Sequence, residues 1–235
     1  MTSEHNARLK TYGRRGGRPL SARQRHLMQA VLPRLQVPSD VHGAVDPQSL
    51  FSQAREVWLE IGTGGGEHVS GQAMRNPEIG LLASEVFLEG IAKLLGQIED
   101  QGLCNIRLWP EDARLLIDAL APGSIDRAFI LFPDPWPKAR HQKRRLVQPD
   151  FLTAMARCLK PGAGVRFATD VRSYADAALC QFLQHPDFVW KAHQADDWRQ
   201  PPKDHITTRY QDKGLGDIAP VYYEFVRMGA PAGMG

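Results

Sequence analysis

The sequence predicts an α/β fold with a mostly parallel β-sheet of about seven strands, helices on both faces and an antiparallel C-terminal strand. Short apolar runs alternate five times with amphipathic stretches between residues 57 and 186. Each right-handed crossover returns the next strand beside an earlier one, so this alternation indicates a parallel sheet. Two strand-like runs with no helical pattern between them close the chain, which indicates antiparallel pairing at the end.

The first part of the chain supplies three strands, each followed by a helix. Strands are predicted at the apolar runs 57–62, 79–86 and 105–109. Helices are predicted where apolar residues recur at helical spacing, in a stretch capped by Ser21, after Gly66, and over 87–101 and 113–120. Residues 36–55 predict irregular structure with one helical turn near Leu50.

The second part continues the alternation and then ends it. Strands are predicted at 125–132 and 164–170, helices at 151–162, where Lys-Pro-Gly is the stop signal, and at 173–186, and closing strands at 188–193 and 221–228. We therefore divide the chain into a flexible basic arm at 1–20, a single domain at 21–229 and a disordered tail at 230–235.

The composition limits the classes of protein to which this sequence could belong. The 235 residues are 43% hydrophobic and 23% charged, which suits one domain with a substantial core. Three widely spaced cysteines, Cys104, Cys158 and Cys180, suggest neither a disulfide framework nor a metal site. The sequence has no run of about 18 apolar residues and no apolar N-terminal signal. We expect a cytoplasmic protein with no metal, no membrane association and no obligate protein partner.

Charge is distributed unevenly, although the formal net charge is only +3. Between Glu4 and Asp40 the chain carries many arginines and no acidic residue. A second basic cluster follows the motif FPDPW and contains Lys138, Arg140, Lys143, Arg144 and Arg145. One basic run alone is usually a solvated surface, but two separated clusters favour a polyanionic partner, of which nucleic acid is the most common.

A glycine-rich turn joins the first predicted strand to the next helix. In EIGTGGG, the glycines Gly62, Gly64 and Gly66 allow the backbone to approach a ligand closely. Such a turn serves nucleotide-like cofactors but also simple tight packing, so it does not identify a ligand alone. Neither Gly-Lys-Ser nor Gly-Lys-Thr follows it, which argues against a P-loop.

Three carboxylates lie at the ends of the first three predicted strands. Glu60 precedes the glycine turn, Glu85 ends the second strand and Asp112 follows the third. Ligands of open parallel sheets bind at this edge, where Glu85 would hold ribose hydroxyls and Asp112 the adenine edge. Each acid alone could be an ordinary solvated residue. Together they favour the cationic S-adenosylmethionine over a nicotinamide dinucleotide with its anionic pyrophosphate.

Six motifs occur in one order over nearly the whole chain: EIGTGGG, SEV, PEDA, FPDPWPKARHQKRRL, ATD and TRYQDKG. In them the sequence resembles the bacterial tRNA (guanine-N7)-methyltransferase family, and the FPDPW block is the most specific. The resemblance implies a Rossmann-like class I methyltransferase domain. It also implies methyl transfer from S-adenosylmethionine to N7 of a guanine in the variable loop of tRNA.

The resemblance implies roles for individual residues. The cofactor-site acids match Glu60, Glu85, Asp112 and Asp134, and Asp134 is also the catalytic position. Positions implicated in substrate binding match Lys138, Asp170, Thr208, Arg209, Tyr210 and Gln211. From their charge, Arg140, Lys143, Arg144 and Arg145 are expected to contact RNA phosphates. The sequence departs from the family at Gln211, where Glu is usual, and at Phe87, where His or Arg is common.

The residues themselves leave alternatives open. Asp170 ends the fifth predicted strand, where it either faces the guanine together with Asp134 or only caps the following helix. For the whole protein, two other functions remain: an RNA-binding protein that retains the fold without turnover, and a nicotinamide-dependent reductase. Guanine N7 carries a free lone pair, so methylation would depend on orientation and charge stabilisation, with no general base.

Overall fold

One seven-stranded sheet organises the computed structural model, which describes residues 15–38 and 44–229. The strands are β1 (Glu56–Ile61), β2 (Ile79–Ser84), β3 (Ile106–Trp109), β4 (Ile125–Leu131), β5 (Leu159–Thr169), β6 (Phe188–Trp190) and β7 (Val221–Arg227). Their order across the sheet is β3-β2-β1-β4-β5-β7-β6. Strands β1 to β5 pair in parallel, and β7 runs antiparallel to both β5 and β6. The predicted fold class is confirmed.

Helices lie before β1 and after most of the strands. They are α1 (Ala22–Ala30), α2 (Leu32–Leu35), α3 (Glu67–Arg75), α4 (Leu88–Gln101), α5 (Ala113–Ala119), α6 (Pro149–Cys158), α7 (Arg172–Gln184), α8 (Asp196–Arg199) and α9 (Arg209–Asp212), with 3-10 turns at Pro47–Leu50 and Ala139–Arg144. Ser21 and Gln24 form a capping box that starts α1, and Pro149 opens α6. Within the described ranges, no helix has the length and apolar character required to span a membrane.

Two apolar cores lie on opposite faces of the sheet, because side chains alternate along each strand. Helices α5, α6 and α7 cover one face, and α1, α3 and α4 cover the β1–β2–β3 part of the other. On that second face, β4, β5 and β7 present Phe129, Ala168 and Tyr222. The β6–β7 connection, residues 191–220, returns to this part of the sheet through contacts of Asp204 and His205.

Two local predictions are wrong. The Lys-Pro-Gly sequence does not stop a helix, since α6 ends at Cys158 and β5 already begins at Leu159. Gly162 has a φ of 84°, and the pairing with β4 shifts register at this point, so a bulge accommodates the missing N–H of Pro161. The second wrong prediction is that no helix lies between the two closing strands, because the β6–β7 connection contains α8 and α9. Each has only 4 residues, too few to give a helical pattern in the sequence.

The ends of the chain bear on the predicted domain limits. Residues 1–14 of the predicted arm and the whole predicted tail at 230–235 lie outside the described residues. The described end of the arm contacts α4, because the Leu88 N–H donates to the Arg15 carbonyl over 3.1 Å. A Cβ on Gly17 would lie 2.9 Å from Cζ of Phe87. Arg15 and Gly17 therefore lie beside the start of α4.

Candidate functional site

A cleft of about 1140 Å³ lies at the carboxyl ends of the parallel strands. It brings together predicted site residues from distant parts of the chain: Glu60, Gly62, Gly64, Glu85, Asp112, Asp134, Lys143, Arg144, Arg145, Thr208, Arg209 and Tyr210. Other predicted site residues do not belong to its lining: Gly66, Lys138, Arg140, Asp170 and Gln211. Within the part of the chain that the structure describes, no group of His, Cys, Asp and Glu residues could hold a metal ion.

The glycine turn is open on its cleft side and tightly packed behind. Gly62 and Gly64 have φ values of 74° and 56°, in the left-handed region that favours glycine. A Cβ at either position would meet no atom within 4 Å, whereas a Cβ on Gly90 of α4 would lie 2.2 Å from the Gly64 carbonyl oxygen. Gly66 packs against Leu94 instead. The turn thus has free space where a ligand would lie.

Glu85 ties the glycine turn to the start of α4. Its Oε2 accepts the Gly64 N–H over 2.6 Å, and its Oε1 accepts the N–H groups of Val86 and Phe87 over 2.8 and 2.9 Å. Burial raises the pKa of Glu85; these backbone hydrogen bonds oppose the shift, and the nearby charge of Asp134 adds to it. The carboxylate is therefore held in one orientation, and a cationic or hydroxyl-bearing ligand would stabilise its charged form.

The other two acids at this edge already have partners. Glu60 is only 2% exposed, and its Oε2 lies 2.6 Å from Nδ1 of His68 on α3. Asp112 caps α5 by accepting the Arg114 N–H over 3.0 Å, and the Arg114 guanidinium forks onto both carboxylate oxygens over 3.0 and 2.7 Å. The charge of Asp112 is thereby offset. Sequence reasoning missed Arg114, although its spacing of two residues from a cap Asp was visible.

The FPDPW loop holds Asp134 in a strained backbone. Phe132 and Trp136, on either side of Asp134, have φ values of 49° and 42°. Bulky residues rarely adopt this conformation, which costs about 1–3 kcal/mol each and is found mainly at functional sites. Asp134 is exposed as a residue, but the surrounding walls desolvate its carboxyl group and raise its pKa. The loop thus presents a partly desolvated carboxylate at the end of β4.

The basic run divides into exposed and buried residues. Lys138, Arg140 and Lys143 are exposed on the 3-10 turn or beside it, and the guanidinium carbon of Arg144 lies 5.0 Å from the Trp136 ring centroid. Arg145 is only 4% exposed. Its guanidinium donates to the Pro135 carbonyl over 2.9 Å and to the carbonyl and hydroxyl oxygens of Ser173 over 2.8 Å each.

This burial argues against the predicted phosphate contact of Arg145. Three of the five guanidinium N–H donors serve protein oxygens, and the 4% exposure of the residue leaves little of it for RNA to reach. Arg145 instead holds the FPDPW loop against the start of α7. The sequence could not reveal this, because five basic residues in one short stretch look alike until the fold buries one of them.

Neutralising two of the three exposed cations, Arg140→Gln with Lys143→Gln, should reduce the salt dependence of tRNA binding. Each lost phosphate contact lowers the log–log slope by roughly 0.7–0.9. Binding measured from low to physiological salt would show this, and Arg55→Gln, exposed before β1, is the matched control. An unchanged slope in the double variant would mean that the run is only a solvated surface.

Residues 208–210 form one wall of the cleft. The Thr208 hydroxyl caps α9 by accepting the Gln211 N–H over 3.3 Å, and Arg209 Nε lies 3.0 Å from Oε1 of Glu67. The Tyr210 ring centroid lies 5.8 Å from that of Phe132. The start of α9 therefore meets the FPDPW loop through an aromatic pair.

Tyr210 also lies near two of the predicted acids. Burial raises its pKa, and the charges of Asp170 and Asp134 raise it further. Asp170 is 3% exposed and does not cap α7, which has no side-chain cap. The alternative of a simple cap is therefore wrong.

Gln211, where the family usually has Glu, points away from the cleft. Its Nε2 donates to the Tyr222 hydroxyl over 2.7 Å, while its Oε1 lies 2.8 Å from Nε2 of His205. An amide can donate and accept at once, whereas an ionised carboxylate can only accept. The departure from the family pattern thus fits its surroundings, and Gln211 supports α9 from behind.

The sheet order, the open glycine turn and the acids at the carboxyl edge define a class I methyltransferase fold. A family described as "Putative methyltransferase" matches residues 54–222. The chain is similar to a 16S rRNA methyltransferase, KamB, with a TM-score of 0.57 and 18% identity over 83% of this chain and 99% of that one, which bears on the fold alone.

Relatives identify the family more closely. The tRNA (guanine-N(7)-)-methyltransferase of Hyphomonas neptunium is 52% identical over 217 residues, which cover 92% of this chain and 99% of the relative. That of Caulobacter vibrioides is 47% identical over 219 residues, covering 93% and 95%. The chain belongs to the tRNA (guanine-N7)-methyltransferase family, as the motifs predict.

Proposed function

We propose that this chain transfers a methyl group from S-adenosylmethionine to N7 of a guanine in the variable loop of bacterial tRNA, in the cytoplasm. The observation that supports this most directly is the convergence of the glycine turn, Glu85, the FPDPW loop and residues 208–210 on one cleft. The names of the relatives at 52% and 47% identity point to the same reaction.

The cofactor end of the cleft fits S-adenosylmethionine. Free space lies beside Gly62 and Gly64, and Glu85 presents an anchored carboxylate that suits ribose hydroxyls. Asp112 with Arg114 would face the adenine, and Glu60 would lie near the cationic groups. When bound, S-adenosylmethionine supplies an electrophilic methyl group on a positively charged sulfur.

The protein residues then have to orient the guanine and stabilise charge. Because N7 has a lone pair and no proton, no residue needs to remove one. Asp134 would accept hydrogen bonds from guanine N–H groups and favour the positive charge that appears on the purine ring. A partly desolvated carboxylate that is already in place does this without reorganisation. Phe132 and Tyr210 would form an apolar wall beside the base.

Affinity for S-adenosylmethionine should decrease as pH is lowered. The pKa values of Glu85 and Asp134 are both raised by burial, so these groups lose their negative charge earlier on acidification than ordinary carboxylates. The charged forms attract a sulfonium; hence affinity is full above the raised pKa values and is lost as pH falls through them. Titrations at several pH values should show a steeper loss for S-adenosylmethionine than for its uncharged thioether analogue. Equal pH profiles for the two ligands would exclude this electrostatic role.

Calorimetric titration followed by a transfer assay tests the function itself. We expect S-adenosylmethionine to bind and its radiolabelled methyl group to enter tRNA. Binding of a nicotinamide dinucleotide in place of S-adenosylmethionine would indicate a reductase. Binding of S-adenosylmethionine and tRNA without transfer would indicate an RNA-binding protein that retains the fold without turnover.

A further inference from the structure

The β6–β7 connection is anchored to the sheet by three consecutive residues just before α9. Asp204 contacts β4, β5 and α3, His205 contacts β7 and α9, and Ile206 contacts α3. Thr208, the cap of α9, follows two residues later. These contacts lie on the face formed by β4, β5 and β7. They connect the centre of the sheet with the wall of the cleft that carries Tyr210.

Asp204 makes two of these contacts through its carboxylate. Its Oδ2 lies 2.8 Å from Nη1 of Arg127 on β4, and its Oδ1 lies 2.6 Å from Nη2 of Arg166 on β5. Its carbonyl accepts the Gln72 side-chain N–H of α3 over 2.8 Å. Partial burial acts to raise the pKa of Asp204, but the hydrogen bonds and charges of Arg166 and Arg127 lower it overall. One residue thus joins two strands and a helix.

The next two residues extend the anchor. The His205 ring centroid lies 4.9 Å from that of Tyr222, and its Nε2 pairs with Oε1 of Gln211 in α9. Ile206 packs onto α3 so closely that a Cβ on Gly71 would lie 2.6 Å from its Cδ1. A chain of contacts therefore leads from Arg166 through Asp204 and His205 to α9.

The ion pairs at this site include a buried arginine. Arg166 is only 2% exposed in the middle of β5, and it also pairs with Glu224 on β7. The partner carboxylate of Asp204 is 37% exposed. Ion pairs of a buried charge often contribute no more to stability than apolar residues of similar volume would, and in some proteins they instead specify one arrangement of the groups they join. Here the ion pairs join β4 and β5 to the segment that leads into α9.

We propose that Asp204, held by Arg127 and Arg166, is a positioning residue that sets α9 so that Tyr210 lies against Phe132 in the substrate site. This inference rests on the proposed function for its kinetic consequence. Asp204 lines no part of the cleft and touches neither ligand in the proposed arrangement. Its effect on methyl transfer is exerted through the orientation of Tyr210.

The variant Asp204→Asn tests this, with Asp197→Asn as the matched control. Asp197 lies in the same connection, but its carboxylate accepts nearby N–H groups, those of the His193 and Gln194 backbone over 2.8 and 3.1 Å and that of the Gln194 side chain. In Asp204→Asn we expect kcat for tRNA methylation to fall about tenfold or more, since small misplacements of positioning groups reduce rates strongly. The dissociation constants of tRNA and S-adenosylmethionine should change by less than about twofold, because phosphate contacts and the cofactor end are untouched. Asp197→Asn should match the wild type.

Hydrogen exchange supplies a readout that does not need catalysis. Amides in 208–213 should exchange faster in Asp204→Asn, while those in 222–226 of β7 stay protected as in the wild type. Arg127→Lys, which keeps the charge but loses the planar fork, should show the same pattern more weakly and serves if Asp204→Asn does not fold. Unchanged kcat, or equal loss of protection in α9 and β7, would overturn the positioning role. If the wild type fails to methylate tRNA, the proposed function fails, whereas the exchange pattern still decides the role of Asp204.

Discussion

Asp134→Asn should lower the rate of tRNA methylation by about a hundredfold or more, the scale expected for one preorganised electrostatic contact. The substitution keeps the size of the side chain but replaces a carboxylate that only accepts hydrogen bonds by a neutral amide. The carboxylate lies at the end of β4 between two residues of positive φ, and its partly desolvated surroundings strengthen its field. Binding of tRNA should change much less, because phosphates dominate its affinity.

The rate has to be measured at saturating S-adenosylmethionine, because Asp134 also borders the cofactor end of the cleft. The variant should be used only if its thermal unfolding matches that of the wild type. Asp176→Asn, at an exposed position of α7, is a matched substitution that should leave turnover unchanged. If Asp134→Asn retained methylation within about threefold of the wild type, the role would pass to another acid, and Asp170 would be the first to test.

The second large effect should come from Glu85→Ala, which should weaken S-adenosylmethionine binding by about tenfold or more. Charge-assisted hydrogen bonds contribute about 1.5–3 kcal/mol each, and a factor of ten corresponds to about 1.4 kcal/mol. The substitution also removes the acceptor of the Gly64, Val86 and Phe87 N–H groups, so the glycine turn loses its fixed connection to α4. Calorimetric titration of the folded variant would measure the change.

Glu78→Ala is the control for this measurement. Glu78 is exposed just before β2, at the edge of the sheet opposite to Glu85 on the same strand. Its removal should leave cofactor affinity unchanged. A dissociation constant equal to that of the wild type in folded Glu85→Ala would exclude Glu85 from the cofactor site.

The general fold was predictable because local signals determine it. Alternating apolar and amphipathic segments define β1 to β5 and their helices, and a parallel sheet necessarily brings the residues after these strands to one edge. For that reason Glu60, Glu85, Asp112 and Asp134 could be grouped from the sequence alone. The bulge in β5 was not predictable, since Lys-Pro-Gly is a good helix stop and its accommodation depends on pairing with β4.

The parts of the site that escaped sequence reasoning depend on contacts between distant residues. Arg145 resembles its basic neighbours until Ser173, far along the chain, takes up its hydrogen bonds. No local sequence pattern marks Asp204, because its ion-pair partners Arg127 and Arg166 lie far away in the sequence, on β4 and β5. The positive φ values around Asp134 likewise arise from the packed loop, because neither Phe nor Trp favours that conformation.

Chemical cleavage of tRNA shows whether this chain forms 7-methylguanosine, and at which guanine. Unmodified tRNA is incubated with the protein and S-adenosylmethionine, reduced with borohydride and treated with aniline, which breaks RNA at 7-methylguanosine. Asp134→Asn, tested in parallel, should give little product. We predict a single cleavage at a guanine of the variable loop that depends on both protein and S-adenosylmethionine. Methyl incorporation without cleavage would exclude N7 of guanine as the methylated atom, and cleavage at guanines outside the variable loop would exclude the proposed position.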